Sequence, residues 1–173
     1  MSFSRMAFAV IVLCLVASCA SKPAAPTQVP PSLRVPDDQK LFLEALASGV
    51  QIYECSQKAD ATFEWVFKSP EATLTSPEGK TLGKHYAGPT WEASDGSTVV
   101  GALKERDPGP TPTAIAWLLL TAKTTTGSGT FTPTKSIQRL ATEGGVAPRE
   151  PCAAANLNQT ARVHYTARYY FYR

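Results

Sequence analysis

Between His85 and Ser97 the chain places most of the side chains that could do chemistry. His85 is a candidate general base or metal ligand, and Glu92 and Asp95 are candidate carboxylates for acid and base work. Tyr86 and Trp91 could hold or stack on a ligand ring. A glycosidase needs two carboxyl groups about 5–10 Å apart, and Glu143 is a third candidate for that pair. Arg139, four residues before Glu143, offers a planar cation to an anionic ligand. Each of these has a plainer reading beside it. A lone His is often a structural hydrogen-bonder, Trp in a half-buried strand is often core, Asp95 before Gly96 suits a turn, and Arg139 could pair with a buried Glu. On an extended chain His85, Pro89 and Trp91 share one side and Tyr86, Thr90 and Glu92 the other. His85 and Glu92 are therefore expected to face opposite ways unless Gly88 marks a bulge.

Other chemistries lack their signatures. The chain has no Walker loop, no GxGxxG, no HExxH and no Gly-x-Ser-x-Gly elbow, so nucleotide binding, zinc peptidase and serine hydrolase mechanics have no sequence support. No cofactor and no metal site is expected. Lys and Arg are scattered without a basic cluster interleaved with aromatics, which argues against a nucleic-acid partner.

The N-terminal segment carries an address. Arg5 followed by the apolar run from Met6 to Ala17 reads as a signal peptide, too short for a bilayer core of about 30 Å. Val16-Ala17-Ser18-Cys19 closes it in the lipoprotein pattern, with two small residues ahead of a thiol that is acylated. In the alternative, ordinary secretion, Cys19 is a bystander. Acylation at Cys19 would anchor the chain through lipid alone, each buried methylene adding about 0.8 kcal/mol. Ala20, in place of the Asp that commonly retains lipoproteins at the inner membrane, favours the outer membrane in an organism that has one. Cleavage after residue 18 removes one Arg and no acid, leaving 16 basic and 14 acidic residues and a charge of +2. Cys14 leaves with the signal and Cys19 is taken by lipid, so Cys55 and Cys152 are expected to form a disulfide in an oxidising compartment. A thiol nucleophile is the competing reading, but neither CxxC nor a local Cys and His signature accompanies it.

These side chains need elements to position them. Residues 1–18 read as the signal, 19–36 as a lipidated Cys and a Pro-rich tether that is extended rather than packed, and 37–173 as one globular domain. Asp37 suits an N-cap, Leu41, Phe42, Ala45 and Leu46 recur at spacings of three and four, and Gly49 suits a C-cap, which predicts one short helix over 38–48. The remainder reads as strand. Residues 50–55 and the alternating run 62–68 are followed by a hairpin around 72–83, and Asp95-Gly96 joins 86–92 to 97–103. Residues 115–122 are apolar on both faces, as in a central strand, while Pro133 suggests an edge strand over 130–134. Residues 137–140 suit strand or a short helix, and 162–172 alternate as a final aromatic-rich strand. The expected fold is mainly β, a single antiparallel β-sandwich or a partly open, barrel-like domain. An outer-membrane barrel fits poorly, because Pro-rich breaks and two-sided apolar runs replace evenly alternating strands.

Gly49-Val50-Gln51-Ile52-Tyr53-Glu54-Cys55, His85-Tyr86-Ala87-Gly88-Pro89-Thr90-Trp91-Glu92 with Asp95-Gly96-Ser97, Ala116-Trp117-Leu118-Leu119-Leu120 and Ile137-Gln138-Arg139 through Pro148 occur here in order. The chain from about Val35 onward thereby resembles an uncharacterised family of secreted bacterial and fungal proteins, a domain of unknown function. That resemblance covers Cys55, Cys152 and the closing Tyr-rich strand and implies no mechanism. Two functional classes stand open. One is a non-catalytic envelope module binding a glycan, peptide or small molecule at the loops around 85–97 and 139–145, or serving a structural role. The other is a hydrolase of cell-wall or extracellular polymer resting on His85, Glu92 and Asp95.

Overall fold

Strand pairing, rather than any helix, organises the chain from residue 41 onward. The computed structural model describes residues 23–173, so the signal peptide and Cys19 lie outside the described residues. Eight strands follow one another in the order β1 (Leu41–Gln57), β2 (Phe63–Thr75), β3 (Thr81–Tyr86), β4 (Thr90–Ala93), β5 (Thr98–Asp107), β6 (Trp117–Thr126), β7 (Ser136–Gly144) and β8 (Thr160–Tyr172). Each pairs antiparallel with the next, and β1 also pairs with β8. The single sheet thus closes into a ring instead of splitting into the two layers of a sandwich, with the short β3 and β4 pairing only Ala72–Thr75 of β2 and Thr98–Val100 of β5.

The helix expected over 38–48 does not form; most of that segment is the first half of β1. Residues 41–47 are apolar at all positions but Glu44, so a spacing of three and four and a spacing of two fit equally well. Long-range pairing decides between them, because Leu46 lies between Thr75 of β2 and Arg168 of β8. Gly49 is not a helix cap. It sits mid-strand where a Cβ would collide with the Glu71 carbonyl and with Ala72 of β2, so only glycine permits that approach.

Side chains of alternate residues fill the ring. Tyr165, Ala167, Tyr169 and Phe171 of β8 point inward to Trp91, Val99, Leu120 and Ile137, with Ala45, Ala47 and Ala72 supplying the small neighbours that such large rings require. One end is plugged. Residues 127–135 form no edge strand but a loop whose Phe131 is fully buried 4.8 Å from the ring of Phe171. Pro133 therefore marks a loop that caps the ring.

The outer face has a second apolar patch. Val29, Leu33 and Val35 pack against Leu119, Leu140, Tyr170 and Tyr172. Leu33 is fully buried, and its carbonyl accepts a 2.6 Å hydrogen bond from Gln138 Nε2. The stretch read as an extended tether is thus a strap from Val29 onward, because its apolar residues find a surface that the ring leaves uncovered. The same contact explains why β6 is apolar on both faces: Leu120 faces the interior and Leu119 faces the strap. Elsewhere the outer face is polar, with ion pairs Lys58–Glu64, Lys68–Glu54, Lys84–Glu92 and Arg162–Glu71.

Candidate functional site

β3 and β4 form a tight hairpin in which His85 pairs with Trp91 and Lys84 with Glu92. Strand alternation sends the first pair into the ring and the second outside. His85 stacks on Trp91 at 4.4 Å between ring centroids and meets the edge of Tyr169 at 5.1 Å. Its Nδ1 lies 2.8 Å from the Thr90 carbonyl. A carbonyl only accepts, so Nδ1 carries the proton and the imidazole is the neutral tautomer. Burial lowers its pKa to about 3, with the Arg139 charge acting in the same direction and the Thr90 bond opposing. His85 is a core residue without access to bulk water.

Outside, Tyr86 donates its hydroxyl proton to Glu92 Oε2 at 2.7 Å while Lys84 holds Oε1 at 3.2 Å. The Tyr86 and Lys84 bonds keep the Glu92 carboxyl below its usual pKa. Both oxygens are engaged, so Glu92 is an ionised surface partner rather than an acid poised to donate. Asp95 lies at the plugged end. Its Oδ1 accepts from the Ser97 amide at 2.9 Å and hydroxyl at 2.6 Å, and its Oδ2 from the Thr130 amide at 2.8 Å and hydroxyl at 2.7 Å. Four donors hold its pKa well below the ordinary carboxylate range, the Ser97 hydroxyl foremost. Ser97 Oγ in turn accepts from the Phe131 amide, so Asp95 clamps the loop that plugs the ring. Glu143 is exposed at the end of β7 beside Thr166 and makes no ion pair with Arg139. The expected set therefore scatters over an outer face, a plugged end and a core.

Arg139 is different. It lies between Leu118 of β6 and Tyr169 of β8, facing inward, and its Nε and Nη2 donate to the Ala116 carbonyl at 3.1 and 2.7 Å. Its charge acts on Tyr53, His85, Tyr165 and Tyr169, so it is the cation these interior groups share. Arg139 opens onto a cavity of about 420 Å³ at the unplugged end of the ring. The cavity is lined by Gln51 and Tyr53 of β1, Phe67 of β2, Leu103 and Arg106 of β5, and the loop residues Ile115 and Val146 among others. No carboxylate is among its lining residues, and neither Arg139 nor Arg106 forms an ion pair among the described residues.

The wall of this cavity is held by the disulfide. Cys55 at the end of β1 is bonded to Cys152, as expected, and the bond fastens the segment that carries Val146 and Ala147. Tyr53 donates to the Gly145 carbonyl at 2.7 Å and Trp65 Nε1 to the Glu150 carbonyl at 2.9 Å, pinning the same segment at two further points. Gly145 has φ +77°, and a Cβ there would press on Tyr165, Gln51 and Ile115, so the chain can cross the ring end at this height only as glycine.

The interior below is rich in poorly paired polar groups. Gln51 Nε2, Tyr165 OH, Tyr169 OH and Trp91 Nε1 are buried without a well-formed hydrogen bond, although Tyr165 interacts with Tyr169 and Gln51, and Tyr169 with Arg139. Buried polar groups left short of a good partner cost roughly 1–3 kcal/mol each. Gln51, Tyr53 and Arg106 were not legible as site residues. In 50–55 the apolar Val50 and Ile52 suggest the inward face, whereas closure of the ring turns Gln51, Tyr53 and Cys55 inward. Arg106 stands in the run Lys104-Glu105-Arg106-Asp107, which reads as solvated surface.

The lining of this cavity contains no Ser, Thr, Cys, His, Asp or Glu, and among the described residues no group of three His, Cys, Asp or Glu side chains could hold a metal. No curated protein and no solved structure matches the chain. A family match does exist and runs over residues 36–173, the whole ring together with the disulfide. The chain belongs to the family described as protein of unknown function (DUF3455).

Proposed function

We propose that this chain is an envelope lipoprotein, anchored through Cys19, whose ring is a non-catalytic binding module with its site at the unplugged end. The observation that carries the binding reading is the cavity of about 420 Å³ into which Gln51 faces, 2% exposed and with an amide nitrogen that makes no well-formed hydrogen bond. Ligand pockets are mostly apolar with a few convergent polar groups, and Phe67, Leu103, Leu118 and Val146 beside Gln51, Arg106 and Arg139 fit that description. The anchor reading is supported by Arg5, the apolar run and Val16-Ala17-Ser18-Cys19. The hydrolase reading loses its support where His85 is sealed in the core and Glu92 and Asp95 are fully engaged.

Two experiments test this. Amide NMR of the intact protein against a set of small charged and neutral aromatic probes should move the signals of Gln51, Arg139, Val146 and Ala147; shifts confined to other surfaces, or none, reject the site. Metabolic labelling with a clickable fatty acid should mark the chain and leave a Cys19→Ala variant unmarked. A labelled variant would rule out that anchor.

A further inference from the structure

We infer that the ring-end cavity takes a small organic carboxylate with an apolar body, its head against Arg139 and Arg106 and its body against Phe67, Leu103 and Leu118. The inference rests on the reading of this end as a binding site and adds the chemistry of the ligand. Three observations carry it.

The first is the sign of the site. Arg139 is partly buried with only neutral partners, the Ala116 carbonyl and the Tyr169 hydroxyl, Arg106 lines the same cavity, and no carboxylate lies among the lining residues. A cation drawn out of water without a counter-charge is unfavourable, so the missing component is an anion.

The second is the geometry of the free hydrogens. Ala116 O occupies Nε and one hydrogen of Nη2 and Tyr169 interacts with the same guanidinium, which leaves two of its five N–H groups for the two oxygens of a carboxylate. Gln51 Nε2 lines the same cavity without a well-formed hydrogen bond and can add another bond to such an acceptor.

The third is the apolar rim. Among the described residues the exposed large hydrophobics are Phe67, Leu103 and Leu157, and the first two stand at this one mouth, 48% and 60% exposed. Apolar side chains gathered at a cavity mouth beside two arginines match a ligand with one charged and one apolar end. A phosphate dianion fits less well, since it would bring two charges against a mostly apolar wall. At about 30 Å³ per non-hydrogen atom, as in liquid water, the cavity has room for on the order of a dozen such atoms.

The test is isothermal titration of the intact protein with 4-phenylbutyrate and with its neutral counterpart 4-phenylbutyramide, a pair of that size differing in the head. The acid is expected to bind one to one with a Kd at least tenfold below that of the amide. Arg106→Gln, a change at an exposed residue, should weaken the acid several-fold and leave the amide unchanged. Equal affinity for the two probes overturns the carboxylate assignment and leaves the binding module standing. Acid binding that Arg106→Gln does not weaken places the anion elsewhere and also overturns it. If neither binds while neutral probes of the NMR set still shift Gln51 and Val146, the carboxylate is rejected and the site kept; if no probe binds there, both fall.

Discussion

His85 packs against the rings of Trp91 and Tyr169 with Nδ1–H on Thr90, so a second proton would place a charge in an apolar space already biased by Arg139. In the unfolded chain its pKa is about 6.5; in the fold it is about 3. Between those values the unfolded state binds a proton that the folded state refuses, so stability falls as pH drops through that window and is unaffected above it. We predict a melting temperature that declines from about pH 6.5 downward, with a shallower decline in His85→Gln measured by circular dichroism. An unchanged slope would show that His85 is not the group responsible. Asp95 acts in a lower window. Its depressed pKa means its contribution is complete above the unfolded value of about 3.9 and is lost as acid titrates the clamp. Asp95→Asn should lower the melting temperature at pH 7 by several degrees and flatten the loss below pH 4. Tyr86, Trp91, Glu92 and Asp95 were each readable as candidates because their types are chemically versatile, yet versatility does not say which way a side chain faces. The opposed facing of His85 and Glu92 did follow from alternation alone.

At the scale of elements, the strap is the clearest test of packing. Leu33 is fully buried on the outer face among Leu119, Leu140, Tyr170 and Tyr172. Truncating a buried leucine costs about 2–5 kcal/mol when the site cannot collapse, and the lower end suits a surface strap that can partly detach. Leu33→Ala is expected to lower the melting temperature by roughly 5–10 °C and to expose residues 23–40 to limited proteolysis. Intact resistance to protease would mean that the strap is held by Gln138 and the backbone rather than by Leu33. The strands β2, β6 and β8 were legible in part from alternating or two-sided apolar patterns, and the Asp95-Gly96 turn because its residues suit few other conformations; 137–140 suited strand or helix, and pairing with β6 and β8 makes it part of β7. The first half of β1 was misread as helix since an apolar run satisfies both periods, while 50–55 was read as strand; residues 130–134 were misread as a strand since Phe131 fills the ring from a turn.

For the whole molecule, the disulfide links β1 to the segment that walls the cavity, across a sequence separation of 97. Chain-entropy arguments give a loop of that size about 4–5 kcal/mol. A Cys55→Ser, Cys152→Ser double variant should therefore lose on the order of 10–20 °C in melting temperature, and reduction of the native protein should reproduce the loss. A drop of only one or two degrees would mean that Tyr53 and Trp65 hold the segment without it. The sequence by itself determined what depends on local composition: the cysteine pair, the β character and the family. Those features are carried by short runs whose residue types have few alternative uses. Only tertiary structure decided that the sheet closes, that Val29, Leu33 and Val35 clasp it, and that Gln51, Tyr53, Arg106 and Arg139 meet at one end. Closure depends on register between residues far apart in the chain, and a shift of one residue exchanges the inner face for the outer, so no local pattern can reveal which side chains share the cavity.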